Sequence, residues 1–159
     1  MTHRTSVRVA VNGFGVIGKR VVDAVLRQEV MELAGVCDVV GDWRLRTLSQ
    51  KDVTLYGASE EAVLSLKDAG FEVSGTLDHL LDKADIVVDC TPKHVAAANV
   101  ERYKSRRIKF IVHGGEKHSV TGHSFVAESS FASAVGRDAT RVVSCNTTSI
   151  VRTLTALKQ

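Results

Sequence analysis

The run Ser144-Cys145-Asn146-Thr147-Thr148 carries the clearest chemical content in this chain. A cysteine stands between a strand-like stretch, Thr140 to Val143, and a helix-like one, Ser149 to Lys158. A thiol at a helix N-terminus meets free N–H groups and the positive end of the helix dipole, which favour negative charge on sulfur. That makes Cys145 a candidate nucleophile. Its own N–H can help to hold an oxyanion, and Asn146, Thr147 and Thr148 are candidate donors to a phosphate or an oxyanion. A structural cysteine, with Ser144 or Asn146 capping the helix, is the competing reading.

A second motif lies near the start. Asn12-Gly13-Phe14-Gly15-Val16-Ile17-Gly18 is a G-x-G-x-x-G run that follows a strand pattern and opens a helix pattern. In that context Gly13 permits a tight turn, Gly15 lets a pyrophosphate approach the backbone, and Gly18 lets helix and strand pack closely. The phosphates would rest on the N–H groups of Val16 and Ile17. Asp38, 20 residues after Gly18, stands where a carboxylate binds adenosine ribose hydroxyls and repels a 2′-phosphate, which favours NAD over NADP. The competing reading is a strand-end aspartate that starts a turn. Arg44 and Arg46 pull the other way, since either can fold back towards a 2′-phosphate. Thr91-Pro92 and His113-Gly114-Gly115 end two further strand patterns, so Thr91 and Gly114 are candidate contacts to the ribose and nicotinamide side of the cofactor.

A cysteine paired with a dinucleotide suggests aldehyde oxidation through a thioester that phosphate or water cleaves. His113, Glu116, His118 and His123 fall within a short span, but no C-x-x-C or H-x-x-x-H pattern appears, and no metal is expected there.

The elements that must position these groups alternate. Strand patterns are read at Val7–Val11, Leu33–Val40, Phe71–Val73, Asp85–Cys90, Ile108–Val112, Ser124–Ala127 and Arg141–Ser144. Helix patterns are read at 16–28, 60–69 (capped by Ser59 and ended by Gly70), 77–81 (capped by Thr76), 95–104, 129–135 and 147–157. Asp42 to Gly57 reads as loop with some helix. The rhythm predicts an α/β, Rossmann-like doubly wound fold with a mostly parallel sheet. The expected organisation is a dinucleotide-binding domain over 1–145 and a helix over 146–159 leading into a second, catalytic domain absent from this chain.

Composition adds bounds. The 159 residues suffice for one domain with a core, and 44% hydrophobic with 25% charged residues is ordinary for a globular protein. A net charge of +3 is too mild to argue for nucleic acid or membrane. No apolar run reaches the ~18 residues of a membrane span. Met1 to Ser6 reads as a polar leader to the first strand, not a signal peptide. Three cysteines, two of them in apolar strand patterns, argue against a disulfide framework and for a cytoplasmic location.

Taken together, the motifs closely resemble the N-terminal half of archaeal-type (type II) glyceraldehyde-3-phosphate dehydrogenases. The resemblance runs through the glycine loop 11–21, Gly75-Thr76-Leu77, 85–92, Gly114-Gly115-Glu116-Lys117-His118, Ser124-Phe125-Val126-Ala127 and 141–148. It implies a cytoplasmic homotetramer that oxidises glyceraldehyde 3-phosphate with NAD or NADP and inorganic phosphate. Cys145 matches the nucleophile, Ser144 and Asn146 match neighbours that contact substrate, and Val16, Ile17 and Gly114 match cofactor contacts. Three residues depart from the family pattern. Asp38 replaces a residue that tends to be basic, Ser149 replaces a glycine, and Ser130-Phe131 replaces a pair that begins with asparagine. The family's catalytic histidine and most substrate-phosphate contacts come from a downstream domain, so the isolated chain is expected to bind dinucleotide with little or no turnover. A stand-alone dinucleotide-binding domain and another two-domain aldehyde dehydrogenase, such as an aspartate-semialdehyde type, are the alternatives.

Overall fold

In the computed structural model, residues 6–113 and 115–158 are described. The expected leader, save Ser6, and the candidate cofactor contact Gly114 lie outside them. The described chain divides into two compact units, 6–90 and 91–158. Every strand pairing recorded within them is parallel, as the alternating pattern predicts.

The first unit holds β1 (Val7–Asn12), α1 (Val16–Val25), β2 (Met31–Asp38), α2 (Arg46–Ser49), β3 (Leu55–Gly57), α3 (Glu60–Asp68), α4 (Leu77–Leu81) and β4 (Ile86–Asp89). Its strand order is β3-β2-β1-β4. Consecutive residues Val9, Ala10 and Val11 are all buried, so β1 is covered on both faces. Val11, Phe14, Val22, Val36, Leu55 and Leu66 form the heart of the core. Ser59 caps α3 by accepting the Ala62 N–H at 3.2 Å, as its position predicts.

Two readings change here. β3 lies inside the stretch read as loop and helix. It is three residues long, too short for a period to show, and it is held by β2 through the register Val36↔Leu55. The strand expected at Phe71–Val73 is absent. The ladder forms just after it: Ser74 N–H donates to Leu55 O, and Gly57 N–H donates to Gly75 O, both at 2.9 Å.

The second unit holds α5 (Val95–Ser105), β5 (Lys109–Val112), a 3₁₀ turn (His118–Val120), β6 (Ser124–Phe125), α6 (Ala127–Ala134), β7 (Ala139–Val142) and α7 (Cys145–Lys158). Its strand order is β5-β7-β6. Tyr103 of α5 packs on Phe110 of β5 with ring centroids 5.6 Å apart. The last strand ends two residues earlier than its sequence pattern suggests, and the last helix starts at Cys145 itself.

Candidate functional site

The glycine loop is built as a close joint between β1 and α1. Gly13 has φ +94°, a conformation that favours glycine, and its N–H donates to Cys37 O at 2.7 Å. A Cβ on Gly18 would lie 1.9 Å from the Gly13 carbonyl oxygen, so only hydrogen fits there. Gly15 is the N-cap of α1, and no side chain caps the helix. The first-turn N–H groups, including those of Val16 and Ile17, therefore face an open cradle at the positive end of the helix dipole. The nearest atom to a Cβ on Gly15 would be Arg44 Nη1, 3.9 Å away. This cradle suits the diphosphate of a dinucleotide.

Asp38 does more than end β2. Its Oδ2 accepts the Phe14 N–H at 2.7 Å, and its Oδ1 accepts those of Val39 at 2.7 Å and Val40 at 3.1 Å. Of the roles weighed from the sequence, the turn role is the one seen here, and the carboxylate also ties that turn to the glycine loop. Three of its about four lone-pair sites are used, leaving room for one more donor. Arg44 is held by Asp42 at 2.5 Å. The Asp42 partner, and to a lesser degree Asp38, raises the guanidinium's proton affinity further. Lys19 lies over the exposed Trp43 ring, 5.2 Å from its centroid. Thr91, which opens the second unit, is half-buried.

The thiols differ sharply. Cys37 is buried and Cys145 is exposed. Burial, reinforced by the charge of Asp89, pushes the Cys90 thiol up to about 12. Of the three, only Cys145 is placed to react.

Cys145 occupies the first turn of α7. Ser144 caps that helix, its Oγ accepting the Thr147 N–H at 3.2 Å, while Thr148 N–H donates to Ser144 O at 2.8 Å. The N–H groups of Cys145 and Asn146 precede the first intrahelical bond and are the natural donors to an anion at this end. The cap read for Ser144 is present, and the exposed Cys145 follows it directly in the chain. The Thr147 hydroxyl is turned to the Ser144 hydroxyl at 2.9 Å. Asn146 is exposed, with Oδ1 3.9 Å from Cys145 Sγ.

A cavity of about 480 Å³ opens at Cys145. Ser144, Asn146 and Thr147 do not line it; His113, Thr148, Ser149 and Arg152 do. Cys145, Thr148, Ser149 and Arg152 follow i, i+3, i+4, i+7 spacing, which is one face of a helix. That spacing is the signal that could have marked Arg152, which the sequence reading did not single out. Arg152 Nε is paired with Glu128 Oε1 at 2.6 Å.

The Gly-Gly-Glu-Lys stretch is anchored from within the second unit. Glu116, only 4% exposed, accepts the His94 N–H at 2.5 Å and lies 3.4 Å from the Ala97 N–H, which places its carboxylate over the N-terminus of α5. Arg141 Nη1 donates to Glu116 O at 2.7 Å, and Arg141 Nε to Ser124 Oγ at 2.8 Å. His118 Nδ1 meets Ser124 Oγ at 2.9 Å, and His123 bridges Thr140 and Ser133. These side chains do not converge on a common point.

Comparisons with known proteins agree with this architecture. A model of the family described as "Dihydrodipicolinate reductase, N-terminus" matches residues 7–119. Glyceraldehyde-3-phosphate dehydrogenase of Methanothermus fervidus is 48% identical over 149 residues, covering 94% of this chain and 44% of that protein. The Pyrococcus furiosus enzyme of the same name is 46% identical over 152 residues, covering 96% of this chain and 46% of that protein. The chain thus spans somewhat under half the length of these relatives, and the resemblance drawn from its motifs holds over nearly all of it. Among solved structures, apo scyllo-inositol dehydrogenase from Lactobacillus casei aligns with a TM-score of 0.53 at 12% identity, covering 75% of this chain and 32% of that one, a likeness of fold.

Proposed function

Because this chain belongs to the family described as "Dihydrodipicolinate reductase, N-terminus" and is similar to archaeal glyceraldehyde-3-phosphate dehydrogenases, we propose that it is the NAD(P)-binding portion of such a dehydrogenase and carries the nucleophile, Cys145. The observation that carries the reading is the glycine joint. Gly18 has no room for a side chain, and the α1 N-terminus has no side-chain cap, so the backbone N–H groups are left for a diphosphate.

Gly13, Gly15, Val16, Ile17 and Gly18 would hold the diphosphate and Asp38 would accept one ribose hydroxyl, with Thr91 and Gly114 kept as the further cofactor contacts that the sequence motifs suggest. Asp38 favours NAD, since a second anion beside it would be repelled. When bound, the nicotinamide supplies a hydride acceptor. Cys145 Sγ attacks the aldehyde carbon of glyceraldehyde 3-phosphate, and the N–H groups of Cys145 and Asn146 steady the resulting oxyanion. Ser144 orders this turn through its cap, and Asn146 and Thr147 offer further donors to substrate. After oxidation the acyl group is a thioester on Cys145. Inorganic phosphate forms a new C–O bond, the C–S bond breaks, and the thiolate returns. The reading extends to a cytoplasmic homotetramer for the full-length enzyme, with little turnover by this chain alone.

Titration of the purified chain with NAD and NADP tests the binding claim. Saturable binding, tighter for NAD, is expected, and equal or tighter NADP binding would defeat the role given to Asp38. Phosphate-dependent NAD reduction by the chain alone would overturn the claim that it needs a further domain.

A further inference from the structure

Arg44 belongs to the turn that joins β2 to α2, and Asp42 holds it in place. Asp42 Oδ1 accepts the Arg44 backbone N–H and its Nε–H, each at 2.9 Å, while Oδ2 accepts from Nε at 2.8 Å and from Nη2 at 2.5 Å. Leu45 and Leu48, both buried in the core, anchor the chain just beyond it. The clamp takes one edge of the guanidinium. Two of the five N–H donors of an arginine sit on Nη1, and among the described residues this nitrogen has no hydrogen-bond partner.

Nη1 lies against the glycine loop. It is the nearest atom, at 3.9 Å, to the place a Cβ on Gly15 would occupy, and Gly15 is the N-cap of α1. A diphosphate seated on the first-turn N–H groups would therefore come within reach of it. The same diphosphate would stand close to Asp38, whose carboxylate holds the Phe14 N–H and repels a second anion. The bond to Asp42, and to a lesser degree the charge of Asp38, tighten the guanidinium's hold on its proton. A permanent positive charge thus stands among these anions and offsets their repulsion. Arg46, by contrast, lines a separate cavity of about 750 Å³ with Leu55 and Phe71.

We infer that Arg44 is a contact to the diphosphate of the dinucleotide: Asp42 fixes the Nε and Nη2 edge, and Nη1 donates to a phosphate oxygen seated on the N-terminus of α1. The inference rests on the reading of the glycine loop as a dinucleotide cradle and adds to that cradle a residue from outside the motif. It also assigns Arg44 to the phosphates common to NAD and NADP rather than to a 2′-phosphate.

The test is calorimetric titration of the full chain with NAD, NADP and adenosine, for the unaltered protein, Arg44→Gln and Arg46→Gln. Arg44→Gln should raise the Kd for NAD and for NADP by about tenfold each and leave that for adenosine, which has no phosphate, unchanged. Arg46→Gln removes the same charge and should change none of the three. An unchanged NAD affinity in Arg44→Gln overturns the inference while the cradle reading stands. A loss confined to NADP also overturns it, and moves Arg44 to the 2′-phosphate. An equal loss for adenosine, or from Arg46→Gln, overturns it by showing a disturbed pocket or a diffuse charge effect. An unaltered chain that binds neither dinucleotide defeats the cradle reading itself, and the inference with it. Should Arg44→Gln fail to fold, Arg44→Lys decides: an ammonium paired with Asp42 has no second arm for the phosphate, so full NAD affinity in that variant overturns the inference.

Discussion

The carboxylate of Asp38, at the end of β2, accepts the N–H of Phe14 in the glycine loop at 2.7 Å, across 24 residues of chain. The same carboxylate holds Val39 and Val40, so one side chain shapes both walls of the proposed ribose site. Asp38→Ala removes the acceptor for three N–H groups and should destabilise the chain by about 1–3 kcal/mol. NAD affinity should fall more than NADP affinity. Urea unfolding and parallel titrations of the two cofactors read the two effects separately.

Gly18 permits the α1–β1 joint because a Cβ would sit 1.9 Å from the Gly13 carbonyl oxygen. That oxygen is backbone and cannot swing aside. Gly18→Ala should therefore cost about 1–3 kcal/mol and weaken dinucleotide binding, whereas Gly70→Ala, strained at φ +84° but with open space around it, should leave binding unchanged. Thermal melts with and without NAD check both.

Thiol chemistry should be selective. Cys145 is exposed, Cys37 is buried, and Cys90 is held neutral by burial and the nearby Asp89 charge. Limiting iodoacetamide should label one thiol per native chain, at Cys145, and all three after denaturation. Cys145→Ser should abolish native labelling with less than about 0.5 kcal/mol change in stability, as expected at an exposed position. Early labelling of Cys37 or Cys90 would contradict the burial described for them.

Mild acid should weaken the fold through two histidines. Burial depresses the proton affinity of His123 first, with the charges of Arg137 and His118 adding to it, and burial also depresses that of His113. In the unfolded chain these imidazoles take protons near ~6.5, above where the folded chain does. Their contribution is therefore present above that value and lost as pH falls through the lower folded values. Urea midpoints should drop between about pH 7 and about pH 5, and His123→Gln should flatten that slope. The carboxylates of Asp23, Asp42, Asp85 and Asp138, held low by hydrogen-bonded basic partners, act only at more acid pH.

Glu116 is the acceptor at the start of α5, taking the His94 N–H at 2.5 Å. Glu116→Ala should leave the N–H groups there without their carboxylate and cost about 1–3 kcal/mol. Glu116→Gln keeps an acceptor oxygen and should recover part of that loss. Amide hydrogen exchange at His94 and Ala97 should quicken more in the alanine variant than in the glutamine variant.

What the sequence determined by itself was whatever rests on neighbours in the chain. The alternation of strand and helix, the glycine joint, the Ser59 cap and a cysteine opening the last helix all follow from spacing within a few residues, because turns, caps and helical faces are local devices. What only the tertiary structure decided rests on partners far along the chain. β3 exists because β2 supplies its ladder, and the ladder at 74–76 displaces the strand expected at 71–73. Asp38 closes onto Phe14 only when β1 and β2 lie side by side. Glu116 reads as one of several candidate ligands until folding brings α5 over it. His113 and Cys145 lie 32 positions apart in sequence and come to one cavity because β5 and β7 pair in register. A buried donor or acceptor must find a partner wherever the fold puts one, and strand pairing, not spacing in the chain, determines where that is.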